Sequence, residues 1–315
     1  MIGSQVNNRR IGRSSTNTDH LLPITNFRLL SLANSMNQIK VGSRIAYQVK
    51  TPTTFLFNVS AARNDHQQIV DESFHVEPFH KIEECAVSPL GNRLVRLSVQ
   101  PGPLTVHYNA IVNLNANVAD ANNLDETPYE QLPADVLTYL NPSRYCESDQ
   151  LLEFAMEKFG SLLPGYSRVT AICNWTYEEL TYTPGSTGPS TTARDVLKQK
   201  EGVCRDFAHV AISLCRAMGI PARYVAGYAV NLIPPDFHGF FEAFLDGRWF
   251  LFDATRLAPV GGFVRIGTGR DAADVAFSTT RGNALSTEME VWASEQQPDD
   301  ELLDPANVST AVSSA

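Results

Sequence analysis

The chain has 315 residues, 43% of them apolar and 19% charged, enough apolar material for one or two packed cores. Its 25 Lys and Arg against 34 Asp and Glu leave a net charge of -9, which argues against nucleic acid as a partner, since that association is driven by neutralising phosphates. No apolar run approaches the roughly 20 residues that cross a bilayer, and no continuous apolar stretch of signal-peptide type opens the chain, so the expectation is no membrane partner and a cytoplasmic location.

Residues 1–38 are rich in Ser, Asn and Arg and read as a flexible leader. From Val41 to about Leu114 apolar residues alternate with a period of two: Ile45, Tyr47, Val49, then Phe55, Phe57, Val59, then Leu104, Val106, Tyr108, Ala110, Val112. Turn residues Thr51-Pro52 and Pro101-Gly102-Pro103 separate these stretches. The pattern predicts an antiparallel β-sandwich which, with a polar connector from about Asn115 to Pro142, fills 39–142. His66, His75, His80 and His107 fall singly on it and read as structural or surface residues, not ligands.

From Ser143 the period changes to helical, with Leu151, Leu152, Phe154, Ala155 and Phe159, then Val169, Ile172, Cys173 and Leu180. A second domain is expected over 143–297, followed by a disordered tail, 298–315, with too little periodic apolar content to pack. The fold class is therefore α+β, with the β-sandwich preceding a domain of mixed character.

Five cysteines, Cys85, Cys146, Cys173, Cys204 and Cys215, are odd in number and match neither a zinc spacing nor a disulfide framework. Cys204 stands apart. Thr192 and Asp195 form a capping-box pattern for a short helix reaching Lys200, and Gly202 breaks the chain just before the cysteine. After it, Phe207, Ala211, Leu214, Cys215 and Met218 make one helical stripe, while Ala208, Val210, Ile212 and Ala217 make the opposite side apolar too. Such a helix belongs inside a domain, and Gly219 is placed to end it in a left-handed C-cap. Cys204 thus falls at the first turn of a central helix, where unpaired N–H groups and the positive end of the dipole favour a thiolate. Its own N–H is then a candidate oxyanion donor, whereas Cys215 reads as a packing residue.

Downstream, HGFFEAFLDGRWFLFD reads as a hairpin turning at Asp246-Gly247. A type I′ turn pairs Leu245 with Arg248 and Phe244 with Trp249, and counting outward sets Phe240 opposite Asp253. His238 and Asp253 then become diagonal neighbours on one face, close enough for a carboxylate to accept from an imidazole N–H. A helix-start cysteine, a strand histidine and a facing aspartate have the form of a catalytic triad. His209, about 140° around the helix from Cys204, points away and reads as a buried hydrogen-bonding residue, with Asp206 as its partner. Glu242 shares the face of His238 and should be either exposed or ion-paired.

At these residues the chain resembles the bacterial transglutaminase-like superfamily, a branch of the papain-like cysteine hydrolases. The motifs are GVCRDFAH, IPARYVAGY, DFHGFFEAFLDGRWFLFDAT and GRDAADVAF, and the resemblance covers roughly residues 143–282. It implies a central helix packed on an antiparallel sheet, with Cys204 as nucleophile, His238 as base and Asp253 as its orienter. It also puts Tyr182 near the oxyanion, with Trp175 as the competing aromatic. His238-Gly239-Phe240 departs from the family's His-Ala-Trp and puts the pocket wall and substrate preference in question. Arg270, Asp271 and Asp274 read as structural ion pairs. The implied chemistry is acyl transfer through a thioester on a peptide, protein or small amide substrate, with no metal or organic cofactor. Water as acceptor makes the enzyme a peptidase or amidase, the favoured reading; an amine makes it a transglutaminase. A non-catalytic binding module is the reading from another class.

Overall fold

The computed structural model describes residues 37–295 and 309–315. The N-terminal part contains β1 (Asn37–Val49), β2 (Thr53–Phe57), β3 (Gln67–Glu77), β4 (Glu83–Ala86), β5 (Arg93–Val99) and β6 (Gly102–Leu114). On β1, β2, β5 and β6 every second residue points inward, as with Ile39, Val41, Ile45, Tyr47 and Val49 on β1, and Leu104, Val106, Tyr108, Ala110 and Val112 on β6. Each fully buried side chain of this size contributes about 1.5–3 kcal/mol, so the alternation fixes which face of each strand turns inward. A short strand, β7 (Asn117–Asp120), follows in the connector.

Helices α1 (Leu152–Phe159) and α2 (Tyr166–Glu179), strand β8 (Thr181–Tyr182), helix α3 (Ala193–Gln199), strand β9 (Glu201–Gly202) and helix α4 (Cys204–Ala217) come next. An antiparallel sheet closes the core, formed by β10 (Ala222–Ala229), β11 (Phe237–Leu245), β12 (Arg248–Phe252) and β13 (Phe263–Gly269) in the order β12-β11-β10-β13. Helix α4 is buried from Asp206 to Arg216 and packs on β11 and β10, with α2 and α3 also against it. The fold is the expected α+β arrangement, a β-sandwich followed by a central helix on an antiparallel sheet. Among the described residues no helix is long and apolar enough to cross a membrane.

The sandwich borrows its remaining strands from beyond the core. β14 (Ser278–Arg281) pairs with β2, and β15 (Ala284–Glu295) pairs along β1, giving sheets ordered β15-β1-β6-β3 and β14-β2-β5-β4. Residues 278–295, expected within the second domain, therefore complete the first. β15 is an edge strand with one well-buried residue, Val291, so it carries almost no alternation. The expected tail is corrected at its end: β16 (Thr310–Ser313) pairs with β7, burying Ala311 and Val312. Two apolar residues are too few for a periodic signal. The rest of that tail, 298–308, together with residues 296–297 and residues 1–36 of the leader, lies outside the described residues.

The sandwich core also takes in Tyr228, Val264 and Ile266 from the far face of β10 and β13. The Tyr228 hydroxyl donates to the Val59 carbonyl at 2.7 Å, and its ring stacks on Tyr108. This face of the sheet is thereby covered, and its opposite face is left to α4. The histidines are not all isolated. The β3–β6 register sets His75 directly across from His107, with rings stacked at 4.6 Å.

Candidate active site

Helix α3 ends at Lys200, which takes up a left-handed φ of 62°, and β9 then pairs in parallel with β8. Gly202 is needed for close approach, not for a left-handed turn: a Cβ there would lie 2.8 Å from that of Asp206. The Asp206 carboxylate accepts from the Val203 N–H at 2.9 Å, the Thr187 hydroxyl at 2.6 Å and the Arg205 guanidinium at 2.7 Å. These bonds fix the entry to α4, with Cys204 as its first residue. Gly219, at φ 82°, ends the helix as expected.

The Cys204 thiol is half-buried and lies 4.0 Å from the Phe237 carbonyl oxygen, one residue before His238. The hairpin has the anticipated register, Leu245 with Arg248 and Phe244 with Trp249, through Asp246 and Gly247, both with positive φ. It brings His238 and Asp253 together: Nε2 of His238 donates to Oδ2 of Asp253 at 3.0 Å, and both residues are 2% exposed. Asp253 also accepts from the N–H and hydroxyl of Thr255 at 2.9 and 2.7 Å, and from the N–H groups of Leu257 and Ala258 at 3.2 Å. A buried carboxylate so supplied stays ionised: burial raises its pKa, but the charge and hydrogen bond of His238 and the bonds from Thr255 outweigh that and hold it below the usual range.

With Nε2 committed to Asp253, Nδ1 of His238 is the nitrogen left for the sulfur. It is buried and has no hydrogen-bond partner among the described residues. Burial depresses the imidazole pKa, yet Asp253 first and Cys204 second push it up to about 10. The imidazolium is thus the resting form at neutral pH, beside a sulfur at a helix start.

Tyr182, on β8 beside Gly202, is brought to the same place. Its phenol pKa is raised by burial and then by the Cys204 sulfur, while the Cys204 backbone N–H pulls the other way. The phenol therefore lies near both the sulfur and the backbone N–H of Cys204. Trp175 does not join them: it packs edge-on against Phe154 and Phe159, with the Lys200 ammonium over its ring.

The other candidates resolve as supporting structure. His209 is fully buried, stacks on Tyr145, and accepts from the Ala272 N–H at 3.1 Å; the expected bond to Asp206 is not made, that carboxylate accepting from Val203, Thr187 and Arg205 instead. Burial, then Arg205, pushes its pKa down to about 3, which keeps it neutral. Arg270 pairs with Asp274 at 3.1 Å, whereas Asp271 makes no ion pair and accepts from the Tyr145 and Ala273 N–H groups. Glu242 is completely buried between Arg223 at 2.6 Å and Arg265 at 2.5 Å. Phe240 does not wall a pocket: it is fully buried, edge-on to the His238 ring at 4.7 Å and against Phe263. Gly239 is explained by Tyr224, whose hydroxyl would lie 2.5 Å from an added Cβ. Thr255 is the contributor that sequence reasoning missed; its signal is the Asp-Ala-Thr spacing, at which an Asp side chain bonds the backbone two residues on.

Comparison with known proteins bears on the family and the fold. Residues 37–135 match the family described as bacterial transglutaminase, N-terminal domain, and residues 153–254 match the transglutaminase-like superfamily. A solved structure of a candidate cysteine protease from Cytophaga hutchinsonii is 44% identical with a TM-score of 0.85, the match covering 88% of this chain and 97% of that one. An uncharacterized protein of Mycobacterium leprae is 38% identical over 117 residues, 34% of this chain and 42% of that protein. One of Mycobacterium tuberculosis is 38% identical over 96 residues, 30% of each. The match thus spans less than half the length of these curated relatives. With both of its parts matched in order and a 44% identical structure aligned over nearly its whole length, the chain belongs to the transglutaminase-like superfamily.

Proposed function

We propose that the protein is a thiol-dependent acyl-transfer enzyme that cleaves a peptide or amide bond through a thioester on Cys204. The observation that carries this reading is the buried His238–Asp253 pair, with the Cys204 sulfur 4.0 Å from the carbonyl oxygen of the residue before His238. In the proposed cycle the Cys204 sulfur attacks the amide carbonyl carbon, and the oxyanion is met by the Cys204 N–H and the Tyr182 hydroxyl. As the C–N bond breaks, His238 gives its Nδ1 proton to the leaving amine. Neutral His238 then takes a proton from water, whose oxygen attacks the thioester, and the acid departs as sulfur recovers its electron pair. Asp253 holds the ring and stabilises the imidazolium throughout. Residues of this chain suffice for every proton transfer in the cycle.

Hydrolysis is favoured by the relation to a candidate cysteine protease, which aligns over nearly its whole length. Transfer to an amine is the second reading, favoured by the family match itself. A test supplies a glutamine-containing peptide with and without a primary amine and follows products by mass spectrometry. Release of ammonia or a shorter peptide in water, unchanged by the amine, is the expected result. Incorporation of the amine into product assigns the transferase reading instead. No turnover of any amide together with an unreactive Cys204 thiol leaves only a binding module.

A further inference from the structure

The geometry points to a divalent-cation site on the solvent face of the β-sandwich, formed by His75, Glu77 and His107 and suited to Zn2+. His75 and Glu77 lie two residues apart on β3 and so share a face, and the register sets His107 of β6 directly opposite His75. The two imidazoles stack nearly parallel, 8° apart. One ligating atom from each of the three residues lies within 4.8 Å of the others. Two imidazoles and one carboxylate are the donor set that Zn2+ and its transition-metal neighbours prefer over magnesium or calcium.

Two further observations favour an ion here. Nε2 of His107 is buried and, among the described residues, has no hydrogen-bond partner, Oε2 of Glu77 being 4.0 Å away. A buried nitrogen left so is costly, and a metal bond would satisfy it. The surrounding charge is also of the right sign. Arg44 on β1, opposite His107, is bound by Glu288 of β15 at 2.5 Å and faces Glu290 and Glu77 as well, so three carboxylates surround one guanidinium.

Zn–N and Zn–O bonds of about 2.0–2.2 Å put tetrahedral ligands roughly 3.4 Å apart. The three groups, now within 4.8 Å of one another, must therefore close by up to about 1.4 Å and the rings tilt toward each other, which the exposed side chains of His75 and Glu77 allow. Water completes the coordination. The ion would tie β3, the outer strand of its sheet, to β6, and an edge strand is where pairing is weakest.

The test is calorimetric titration of Zn2+ into the full chain carrying Cys204→Ser, which removes the active thiol as a competing ligand. Saturable uptake of one ion is expected, weakened at least roughly tenfold by His75→Ala and by Glu77→Gln, with His107→Ala as a third arm. His75 and Glu77 are exposed, so their variants should fold normally, as circular dichroism will report. Co2+ in place of Zn2+ should show an absorption spectrum without a thiolate charge-transfer band, and Zn2+ should raise the melting temperature only while His75 is present. Absence of uptake, uptake indifferent to His75→Ala and Glu77→Gln, or a thiolate band would overturn the assignment.

Discussion

Replacing Asp253 by Asn keeps the size of the side chain that faces His238 and removes its charge. In the wild type that charge works against burial, which alone would lower the imidazole pKa below the ordinary 6.5; the outcome is a pKa of about 10, with Asp253 first among the raising influences and Cys204 after it. An opposite charge at hydrogen-bond distance moves a pKa by about 1–3 units, and at 1.36 kcal/mol per unit this is on the order of 1.5–4 kcal/mol of imidazolium stabilisation. Because the folded-state value is raised, the stabilisation is complete below pH 6.5 and is lost as the pH climbs through about 10. In Asp253→Asn it should be lost about 1–3 units earlier. The assay is an NMR titration of the ring C–H signals, with His238 assigned by its disappearance in His238→Ala and folding followed by circular dichroism. A wild-type His238 titrating at or below 6.5, or an identical midpoint in both proteins, refutes the reasoning.

Tyr182→Phe removes one of two proposed oxyanion donors. The phenol is 40% exposed, so kcat should fall by roughly 10- to 100-fold, short of the full effect of a buried donor, with KM little changed; steady-state kinetics on a cleaved peptide decides. Glu242→Gln leaves Arg223 and Arg265 facing each other without a counter-charge and should destabilise by about 3–5 kcal/mol in a denaturant titration. The same carboxylate, whose pKa two arginines outweigh burial to hold at about 2, should cost the wild type stability as the pH falls from 4.5 toward 2. Gly239→Ala should cost about 1–3 kcal/mol by overpacking against the Tyr224 hydroxyl, and Tyr224→Phe in the same chain should recover part of the loss.

The His238–Asp253 pair was legible in the sequence because its geometry is local. Asp246-Gly247 permits one tight turn, the turn fixes the register, and the register sets Asp253 diagonally across from His238. Likewise a glycine before Cys204 and one after Met218 bracket a helix with apolar residues on both sides, whose burial follows. What escaped depends on distant pairing. Glu242 is neutralised by Arg223 and Arg265 from two other strands, so its sequence neighbourhood carries no sign of whether it is paired or exposed. His75 meets His107 through a β3–β6 register that includes a bulge between Ile69 and Asp71, which period-two counting does not locate. The return of β15 to β1 went unseen for the same reason, since an edge strand with only Val291 well buried has little apolar pattern to reveal it.

The central claim is that the reactive sulfur is Cys204, activated by His238. Alkylation by iodoacetamide at neutral pH, followed by peptide mapping against time, tests it most directly. Cys85 is the internal control because it too is half-buried, whereas burial pushes the Cys146 thiol up to about 12 and raises Cys173 and Cys215 as well. The prediction is that Cys204 is alkylated first, well ahead of Cys85, and that His238→Ala slows its labelling without affecting that of Cys85. Labelling of Cys204 no faster than Cys85, or unaltered by loss of the imidazole, would contradict the account.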